Sequence, residues 1–327
     1  MYTSYFGLKE DPFSMTPDTR YLFLSPQHTE ALNHLLYGIN EKKGFMVITG
    51  GIGTGKTTIC RKLLSVLDQS VDSALIFNPS LSEMELLATV NQEFGVKSGL
   101  GRKTRKRYID ALNKFLLKNF SAGRNTVLLI DEAQNLSRGV LEQIRMLSNL
   151  ETEREKLLQI VLIGQPELEK LLTSPSLKQL NERITVRYNL TPLSYHQEKS
   201  YIMHRLAVAG GDNGVPLFSS QAYRKIHSYS RGIPRRINAI CDRTLLIAYS
   251  RDSNIINRNL IREAVSDIGS GYLTDETNSW RKRERFLLLS ALIIAILLLL
   301  AVTVGRGAVF DFFSNIDFLS WIDESYR

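Results

Sequence analysis

The sequence predicts a doubly wound α/β domain with a parallel sheet, followed by a smaller all-α domain and one transmembrane helix. Three observations predict this arrangement. Short apolar runs alternate with longer amphipathic stretches from Phe45 to about Leu190, helical patterns alone continue from Thr191 to about Ile268, and an unbroken apolar segment covers Phe286 to Val304. Alternating strands and helices are typical of a parallel sheet covered by crossover helices.

The composition is that of a folded protein. Of the 327 residues, 43% are hydrophobic and 23% are charged, which excludes a disordered chain and allows about two domains. The net charge of +8 is compatible with nucleic acid or acidic lipid as a partner but decides for neither. Cys60 and Cys241 have no metal or redox spacing, so we expect two core residues in a reducing compartment. The first residues lack the pattern of a cleavable signal peptide.

Short apolar runs predict the strands, and amphipathic runs predict the helices between them. The predicted strands are Phe45 to Thr49, Ser73 to Asn78, Thr126 to Ile130, Gln159 to Ile163 and Ile184 to Tyr188. The helices predicted in the same region are Thr57 to Leu67, Glu83 to Phe94, Arg107 to Asn119, Ser137 to Leu150 and Pro166 to Leu172. A further helix, Ser25 to Asn40, precedes them, and four follow, at Tyr195 to Gly210, Ser219 to Ser228, Pro234 to Ser250 and Arg258 to Ile268.

A glycine-rich loop directly after the first strand carries the strongest chemical signal. Its Gly-x-x-x-x-Gly-Lys-Thr spacing, between a strand and a helix, is that of a P-loop, whose backbone N–H groups and helix N-terminus cradle phosphates. We expect Lys56 to reach the β- and γ-phosphates and Thr57 to bind Mg²⁺. The predicted nucleotide contacts are Gly50, Gly51, Ile52, Gly53, Thr54, Gly55, Lys56, Thr57 and Thr58.

Acidic and amide side chains follow two later strands. Asp131 and Glu132 come directly after Val127 to Ile130, which places both carboxylates at the carboxyl edge of a parallel sheet, beside the phosphates. We expect Asp131 to hold Mg²⁺ through water and Glu132 to orient and deprotonate the attacking water. Gln165 follows the next strand and is a candidate sensor for the γ-phosphate.

Two arginines are candidates for stabilising the transition state. Arg183 precedes the last strand, where its guanidinium could reach the γ-phosphate of a neighbouring subunit. Arg235 opens a helix of the second domain and could touch the nucleotide within its own chain, although Arg236 competes for the inward position. The alternative for these side chains is a surface salt bridge.

Two segments keep two interpretations each. The first 43 residues mix aromatic residues with turn formers, and they either pack beside the adenine or cover the edge of the sheet. The run Lys97 to Arg107, basic mainly over Arg102 to Arg107, either grips phosphates or anionic lipid, or is a solvated loop, since no aromatic residues interleave its charges.

A transmembrane helix is predicted near the C-terminal end. Phe286 to Val304 is an apolar run of nineteen residues, which spans roughly 28 Å as a helix and matches a hydrocarbon core of ~30 Å. Arg281, Lys282, Arg283 and Arg285 precede it, whereas the tail after it is acidic, so the nucleotide domain should face the cytoplasm. The predicted segments are a lead-in (1–43), the α/β domain (44–190), the lid (191–268), a polar and basic linker (269–285), the transmembrane helix (286–304) and a short periplasmic tail (305–327).

Taken together, these residues resemble the AAA+ ATPases, and in particular the general secretion pathway protein A family. The resemblance covers about residues 1 to 270 and rests on several stretches in one order: Tyr5-Phe6-Gly7-Leu8 with Pro12-Phe13, Thr16-Pro17-Asp18, His28 and Glu30-Ala31-Leu32, then Asp131 to Leu136, Leu147 to Thr152, Gly164 to Leu168 and Gly232 to Asn238. It implies ATP and Mg²⁺ as cofactors. It assigns the Walker A residues to Lys56 and Thr57, the Walker B acids to Asp131 and Glu132, the first sensor to Gln165, the arginine finger to Arg183 and the second sensor to Arg235.

The resemblance also implies a homo-oligomeric ATPase of the bacterial inner membrane that helps to assemble an envelope machine together with inner-membrane or periplasmic partners. Longer members carry a periplasmic peptidoglycan-binding domain after the membrane helix, and this sequence stops before one. We therefore expect a short form, serving type II secretion, type IV pili or exopolysaccharide export. The alternatives are a nucleic-acid-dependent AAA+ ATPase of the transposition or initiator type, against which the membrane helix argues, and a nucleotide-controlled scaffold with negligible turnover.

Overall fold

A computed structural model describes residues 1–16, 18–77, 80–97, 104–153, 155–210 and 217–269, and residues 1–269 form one compact unit. The predicted linker, transmembrane helix and tail lie outside the described residues, apart from Gly269. Within the described ranges, no helix is both long and apolar enough to cross a lipid bilayer. The boundary predicted at residue 190 between the α/β domain and the lid stays a prediction.

A five-stranded parallel sheet forms the centre of the unit, in the order β2-β3-β4-β1-β5. Its strands are β1 (Phe45–Gly50), β2 (Val71–Ile76), β3 (Asn125–Ile130), β4 (Gln159–Gly164) and β5 (Ile184–Leu190). All five were predicted. β2 begins two residues earlier than Ser73, because its pairing with β3 starts at Val71 and because Arg124 and Asn119 bind the Asp72 carboxylate.

Helices cover both faces of the sheet. In chain order the helices are α1 (Tyr2–Tyr5), α2 (Pro26–Asn40), α3 (Lys56–Val66), α4 (Glu83–Glu93), α5 (Arg105–Ser121), α6 (Arg138–Leu147), α7 (Pro166–Leu172), α8 (Lys178–Asn181), α9 (Tyr195–Val208), α10 (Ser220–Ser230), α11 (Pro234–Ser250) and α12 (Arg258–Ile268). Short 3₁₀ turns lie at Thr19–Tyr21, Ala133–Asn135 and Pro175–Leu177.

The core follows the period of two that strands impose on their side chains. Val47, Leu128 and Ile160 point to one face and pack with α4, α5, α6 and α7, whereas Ile48 and Leu129 point to the other and pack with α2 and α3. Both faces of the central strands are therefore buried, which explains why these strands are apolar throughout instead of alternating.

Side-chain caps fix where several helices begin. Ser25 caps α2 with Pro26 as its first residue, and Ser82 and Ser194 form capping boxes at α4 and α9. Thr104 accepts a hydrogen bond from the N–H of Arg107, so α5 begins at Arg105, two residues before the predicted start. Part of the predicted basic loop is therefore a helical turn, in which Arg105 lies 3.6 Å from the carboxylate of Glu83. Residues 98–103 lie outside the described residues.

The region after β5 differs from the all-α prediction. It contains α9 to α12, but it also has a two-stranded parallel sheet made of β6 (Leu217–Phe218) and β7 (Ile255–Ile256). The N–H of Leu217 donates to Asn254 and that of Ser219 to Ile256, so the two segments satisfy backbone groups that a loop would leave to water. Runs of two residues are too short to show the alternation that predicts a strand.

The lead-in connects this helical region to the sheet. The hydroxyl of Tyr2 donates to Asp242 of α11 at 2.6 Å, and the guanidinium of Arg205 of α9 donates to the carbonyl of Pro12 at 2.5 Å. The chain then enters α2, which packs on the sheet beside β5 and α3. The first 25 residues thus lie against the helical region, and the next fifteen lie against the α/β core.

Candidate nucleotide-binding site

The glycine-rich loop runs from the end of β1 to the start of α3. Gly53 and Gly55 have φ angles of +76° and +103°, in a region that other residues rarely adopt. A Cβ atom at Gly53 would lie 2.7 Å from the Cβ of Arg235, and one at Gly55 would lie 2.7 Å from Nε2 of His28. These positions therefore need glycine for their backbone angles and for the closeness of their neighbours.

The loop borders a cavity of about 440 Å³, a size suited to a small molecule. Its other walls come from the carboxyl edge of the sheet, from the helical region and from the lead-in. They include Glu132 and Gln165, then Tyr201, Arg205, Arg235 and Asn238, and the lead-in residues Ser14, Met15, Thr16, Asp18, Tyr21, Leu22 and Phe23. The lead-in therefore lines the cavity and is more than a cover for the edge of the sheet.

Lys56, the first residue of α3, turns back over the loop. Its ammonium donates to the carbonyls of Gly50 at 2.8 Å and Gly51 at 3.0 Å, and the side chain is buried. Burial lowers the pKa of Lys56, while the nearby carboxylates of Glu132 and Asp131 oppose that shift. A buried ammonium that donates to two backbone carbonyls can exchange them for phosphate oxygens, which accept stronger, charge-assisted hydrogen bonds.

Thr57 and Asp131 form the part of the site suited to a magnesium ion. The hydroxyl of Thr57 donates to Oδ2 of Asp131 at 2.8 Å, and Oδ1 of Asp131 accepts the N–H of Glu132 at 2.9 Å. Hydroxyl and carboxylate oxygens are ligands that Mg²⁺ prefers, and Mg²⁺ usually takes its remaining ligands from water and phosphate. In the described ranges no cluster of three or more His, Cys, Asp or Glu side chains could hold a metal.

Glu132 lies beyond the end of β3 with an unusual backbone. Its φ of +53° and ψ of +36° place it in the left-handed region. Its Oε2 accepts hydrogen bonds from the side-chain amides of Gln134 at 2.5 Å and Gln165 at 3.3 Å. The predicted base and the predicted sensor are thus hydrogen-bonded to each other, and Gln134, which was not predicted as a site residue, donates to the same oxygen of Glu132.

His28 also belongs to the site, and sequence reasoning noted it only as part of a resemblance. Its Nε2 lies 3.0 Å from the carbonyl oxygen of Thr54 and therefore donates to it, and Nδ1 accepts from the hydroxyl of Ser25 at 2.6 Å. His28 is buried, and burial lowers its pKa, so the ring is neutral. Helix α2 thereby holds the glycine-rich loop through the hydrogen bond from His28 to Thr54.

The two arginines predicted near the phosphates lie in different places. Arg235 lines the cavity, and its backbone N–H lies 3.5 Å from the carbonyl of Gly53, whereas Arg236 is not among the residues that line this cavity. Arg183 does not line it either. Its guanidinium donates to Ser148 at 3.1 Å and to Asn149. Ile184 pairs with Phe45, five residues before Gly50. Measured along the strand, the backbone of Arg183 is therefore about 17 Å from the start of the loop of its own chain.

A buried arginine that was not predicted from the sequence also lines the cavity. The guanidinium of Arg205 donates to the carbonyl of Pro12 at 2.5 Å and to the hydroxyl of Tyr201 at 2.9 Å, and it lies 4.8 Å from the ring centroid of Tyr21. Tyr201 in turn donates to Asn238 at 2.8 Å. The signal in the sequence was a charged residue between Ile202 and Leu206, on the apolar face of α9.

Comparisons with known proteins show which families and structures the chain resembles. Residues 39–172 match a protein family described as AAA domain. General secretion pathway protein A of Aeromonas hydrophila is 46% identical over 299 residues, which cover 90% of this chain and 53% of that protein. The chain resembles general secretion pathway protein A over nine tenths of its own length, and it contains an AAA domain. It spans about half the length of this relative.

Solved structures support the same fold. The ORC2 protein of Aeropyrum pernix, solved in ADPNP–ADP complexes, has a TM-score of 0.59 and 14% identity, with 84% of this chain and 75% of that chain covered. Cdc6p from Pyrobaculum aerophilum has a TM-score of 0.59 and 17% identity, with 76% of this chain and 70% of that chain covered. At such low identities, the similarity to these two structures shows the fold alone.

His28 provides a prediction about pH. Burial lowers its pKa below the ordinary 6.5, so the unfolded chain binds a proton more readily than the folded chain does, and the free energy of unfolding falls as the pH drops below about 6.5. We expect His28→Gln to make this pH dependence shallower in urea unfolding of the full chain between about pH 7 and pH 5.

The matched control is His34→Gln, since His34 is exposed on the same helix. It should keep the slope of the parent protein. Burial also lowers the pKa of His204, which supplies a residual slope in both variants. Equal slopes in His28→Gln and the parent protein would contradict a neutral His28 beneath the loop.

Proposed function

We propose that this chain is a membrane-anchored AAA+ ATPase that hydrolyses ATP with Mg²⁺ to drive or regulate the assembly of an envelope system. The observation that carries the proposal is the hydrogen bond between Thr57 and Asp131, at one edge of the sheet with Lys56 and Glu132. An ammonium for phosphates, a hydroxyl and carboxylate for Mg²⁺ and a second carboxylate for water are the parts that phosphoryl transfer to water requires.

Each side chain has a role in this proposal. Lys56 leaves the loop carbonyls and binds the β- and γ-phosphates, while the N–H groups of Gly53 to Thr58 cradle them. Thr57 and Asp131 hold Mg²⁺, which neutralises charge on the phosphates when it is bound. Glu132 takes a proton from the attacking water, and Gln165 orients that water and the γ-phosphate.

The lead-in and the helical region hold the rest of the nucleotide in this proposal. Tyr21, Leu22 and Phe23 line the cavity and offer apolar and aromatic surface to the base. Arg235 approaches the phosphates from α11, since its backbone already touches Gly53. A bound nucleotide would therefore contact the α/β core and the lid at once.

The cellular role is proposed from sequence and similarity. The relative from Aeromonas hydrophila is named for the general secretion pathway, which supports an assembly role in type II secretion or in a comparable system such as type IV pili or exopolysaccharide export. The apolar run 286–304 and its basic collar support an inner-membrane anchor with a cytoplasmic ATPase and a periplasmic tail. Membrane or periplasmic partners of such a system are proposed with it.

We do not propose nucleic-acid binding. The basic run Lys97 to Arg107 suggested nucleic-acid binding, but part of this run forms the first turn of α5. There Arg105 is close to Glu83 and donates a hydrogen bond to the sulfur of Met146. The positive net charge alone names no partner.

Two substitutions separate binding from hydrolysis. Lys56→Ala removes charge-assisted hydrogen bonds to phosphate and should weaken ATP binding by at least about tenfold. Glu132→Gln keeps the shape but not the base, so ATP binding should persist while hydrolysis falls by roughly 100-fold or more. Fluorescent-nucleotide titration and phosphate release of the full chain in detergent measure the two effects.

The controls are Lys62→Ala, on the same helix, and Glu93→Gln, which is exposed at the end of α4. Both should behave as the parent protein does. Undiminished hydrolysis by Glu132→Gln would refute the assigned base, and a parent protein without ATP turnover would refute the proposed enzyme.

Arg183 tests the oligomer. Because it lies far from the loop of its own chain, we propose that it completes the site of a neighbouring subunit. Arg183→Ala alone should lose at least about tenfold in hydrolysis. Mixing Arg183→Ala with Lys56→Ala should restore turnover. At a mixed interface, the Arg183→Ala subunit supplies an intact nucleotide site and the Lys56→Ala subunit supplies an intact Arg183.

Arg187→Ala is the control for this experiment, since Arg187 follows closely in β5 and bonds Glu169 at 2.6 Å. Arg187→Ala should hydrolyse ATP as the parent protein does, without a second variant in the mixture. If the mixture of Arg183→Ala and Lys56→Ala were no more active than its separate components, the trans-acting role would be wrong.

The anchor is tested by fractionation. The full chain should sediment with membranes after alkaline carbonate extraction and dissolve only in detergent. Placing two charges at the centre of the apolar run, with Ile294→Arg and Ile296→Arg, costs about 5 kcal/mol or more of insertion free energy and should release the chain. The pair Asn278→Arg and Ser279→Arg, outside the run, is the control. Extraction of the parent protein by carbonate would refute the anchor.

A further inference from the structure

The side chain of Gln134 joins the ends of two neighbouring strands. It belongs to the 3₁₀ turn Ala133–Asn135 that follows β3, and it reaches towards the end of β4. Its Nε2 donates to Oε2 of Glu132 at 2.5 Å, and its Oε1 accepts the backbone N–H of Gln165 at 2.9 Å. One amide therefore binds the proposed base with its donor and the backbone of the proposed sensor with its acceptor.

The neighbouring residues leave little room for another arrangement. A Cβ atom at Gly164 would lie 2.9 Å from Oε1 of Gln134 and 2.8 Å from the side chain of Leu168, so only glycine fits beside this amide. Gln134 is partly buried, and the backbone of Gln165 fixes its acceptor end. The amide is thus held at one end and directs its donor at Glu132.

The hydrogen bonds distinguish the two oxygens of Glu132. In the described part of the chain, the side-chain hydrogen bonds to this carboxylate both fall on Oε2, from Gln134 and from the side chain of Gln165. Two donors on one oxygen leave Oε1 as the oxygen able to accept a proton from water. They also fix the rotation of the carboxylate about its last bond, which is otherwise broad.

We infer that Gln134 is a positioning residue for hydrolysis, which orients the carboxylate of Glu132 through Oε2 and couples it to Gln165. This inference rests on the proposed ATPase function. A shift of Gln165 towards a bound γ-phosphate would displace its backbone N–H, which is bonded to Oε1 of Gln134. The amide of Gln134 would then move as a unit, and its Nε2 would shift the carboxylate of Glu132. Gln134 needs no contact with the nucleotide for this role.

The alternative is that Gln134 only holds the backbone at the end of β4. Gln134→Glu separates the two roles, because a glutamate has the same length and can still accept the N–H of Gln165. It has no donor for Glu132 and sets a second carboxylate against it. Gln134→Leu removes both contacts at similar volume.

The test measures kcat and the dissociation constant for ATP of the full chain in detergent, with Asn135→Leu as the matched control. Asn135 is exposed in the same turn. We expect both Gln134 variants to lose at least about tenfold in kcat, as for a lost hydrogen bond to a charged group. The dissociation constant should change by less than about threefold, since no phosphate contact is lost. Asn135→Leu should keep both values.

Four outcomes would overturn the inference. If Gln134→Glu keeps the kcat of the parent protein while Gln134→Leu loses it, the bond to Gln165 is the one that matters. If both variants lose affinity and thermal stability in proportion to kcat, as circular dichroism would show, Gln134 is structural. A parent protein that turns over ATP while both variants equal it refutes the role of Gln134 alone, whereas a parent protein without turnover refutes the proposed function as well.

Discussion

The candidate site depends on the hydrogen bond from Thr57 to Asp131, which joins the start of α3 to the end of β3. Helix α3 follows β1, and β1 and β3 are not neighbours in the sheet, since β4 lies between them. Because all the strands are parallel, their carboxyl ends meet at one edge, and chemistry carried by separate parts of the chain converges there. The register of the sheet, in which Ile48 pairs with Ile163 and Ile130 pairs with Leu162, brings the two strand ends to the same level and so positions the contact.

Much of this arrangement was predictable from the sequence. Apolar runs followed by Gly50, Asp131 and Gln165 indicate which residues meet at the edge, and the fixed spacing of the loop indicates Lys56 and Thr57. His28, Gln134 and Arg205 were not predictable as site residues, because their roles come from contacts between distant segments. The pair of β6 and β7 was missed for the same reason, since each strand is two residues long and depends on a partner elsewhere in the chain.

Arg205 shows how the cavity gains a wall that the α/β core does not supply. A buried guanidinium loses its hydration, and this loss is costly unless its N–H groups find acceptors. Here they find the carbonyls of Pro12 and Ser14 and the hydroxyl of Tyr201, and the ring of Tyr21 lies against the cation. Satisfying one arginine thus orders the lead-in against α9. A ligand in the cavity therefore meets a wall whose position depends on the helical region and on the first 25 residues together.

The backbone of Glu132 explains how two adjacent residues can both take the roles proposed for them at the phosphates. Successive residues of a strand point to opposite faces, so an Asp-Glu pair that continued the strand would direct only one carboxylate towards Thr57. The left-handed conformation of Glu132, with φ of +53°, ends the strand and turns the chain into the 3₁₀ turn. This conformation costs about 1–2 kcal/mol for a residue other than glycine. Glycine would relieve the strain but carries no carboxylate, so the strain at Glu132 accompanies the placement of the proposed base beside the proposed metal ligand.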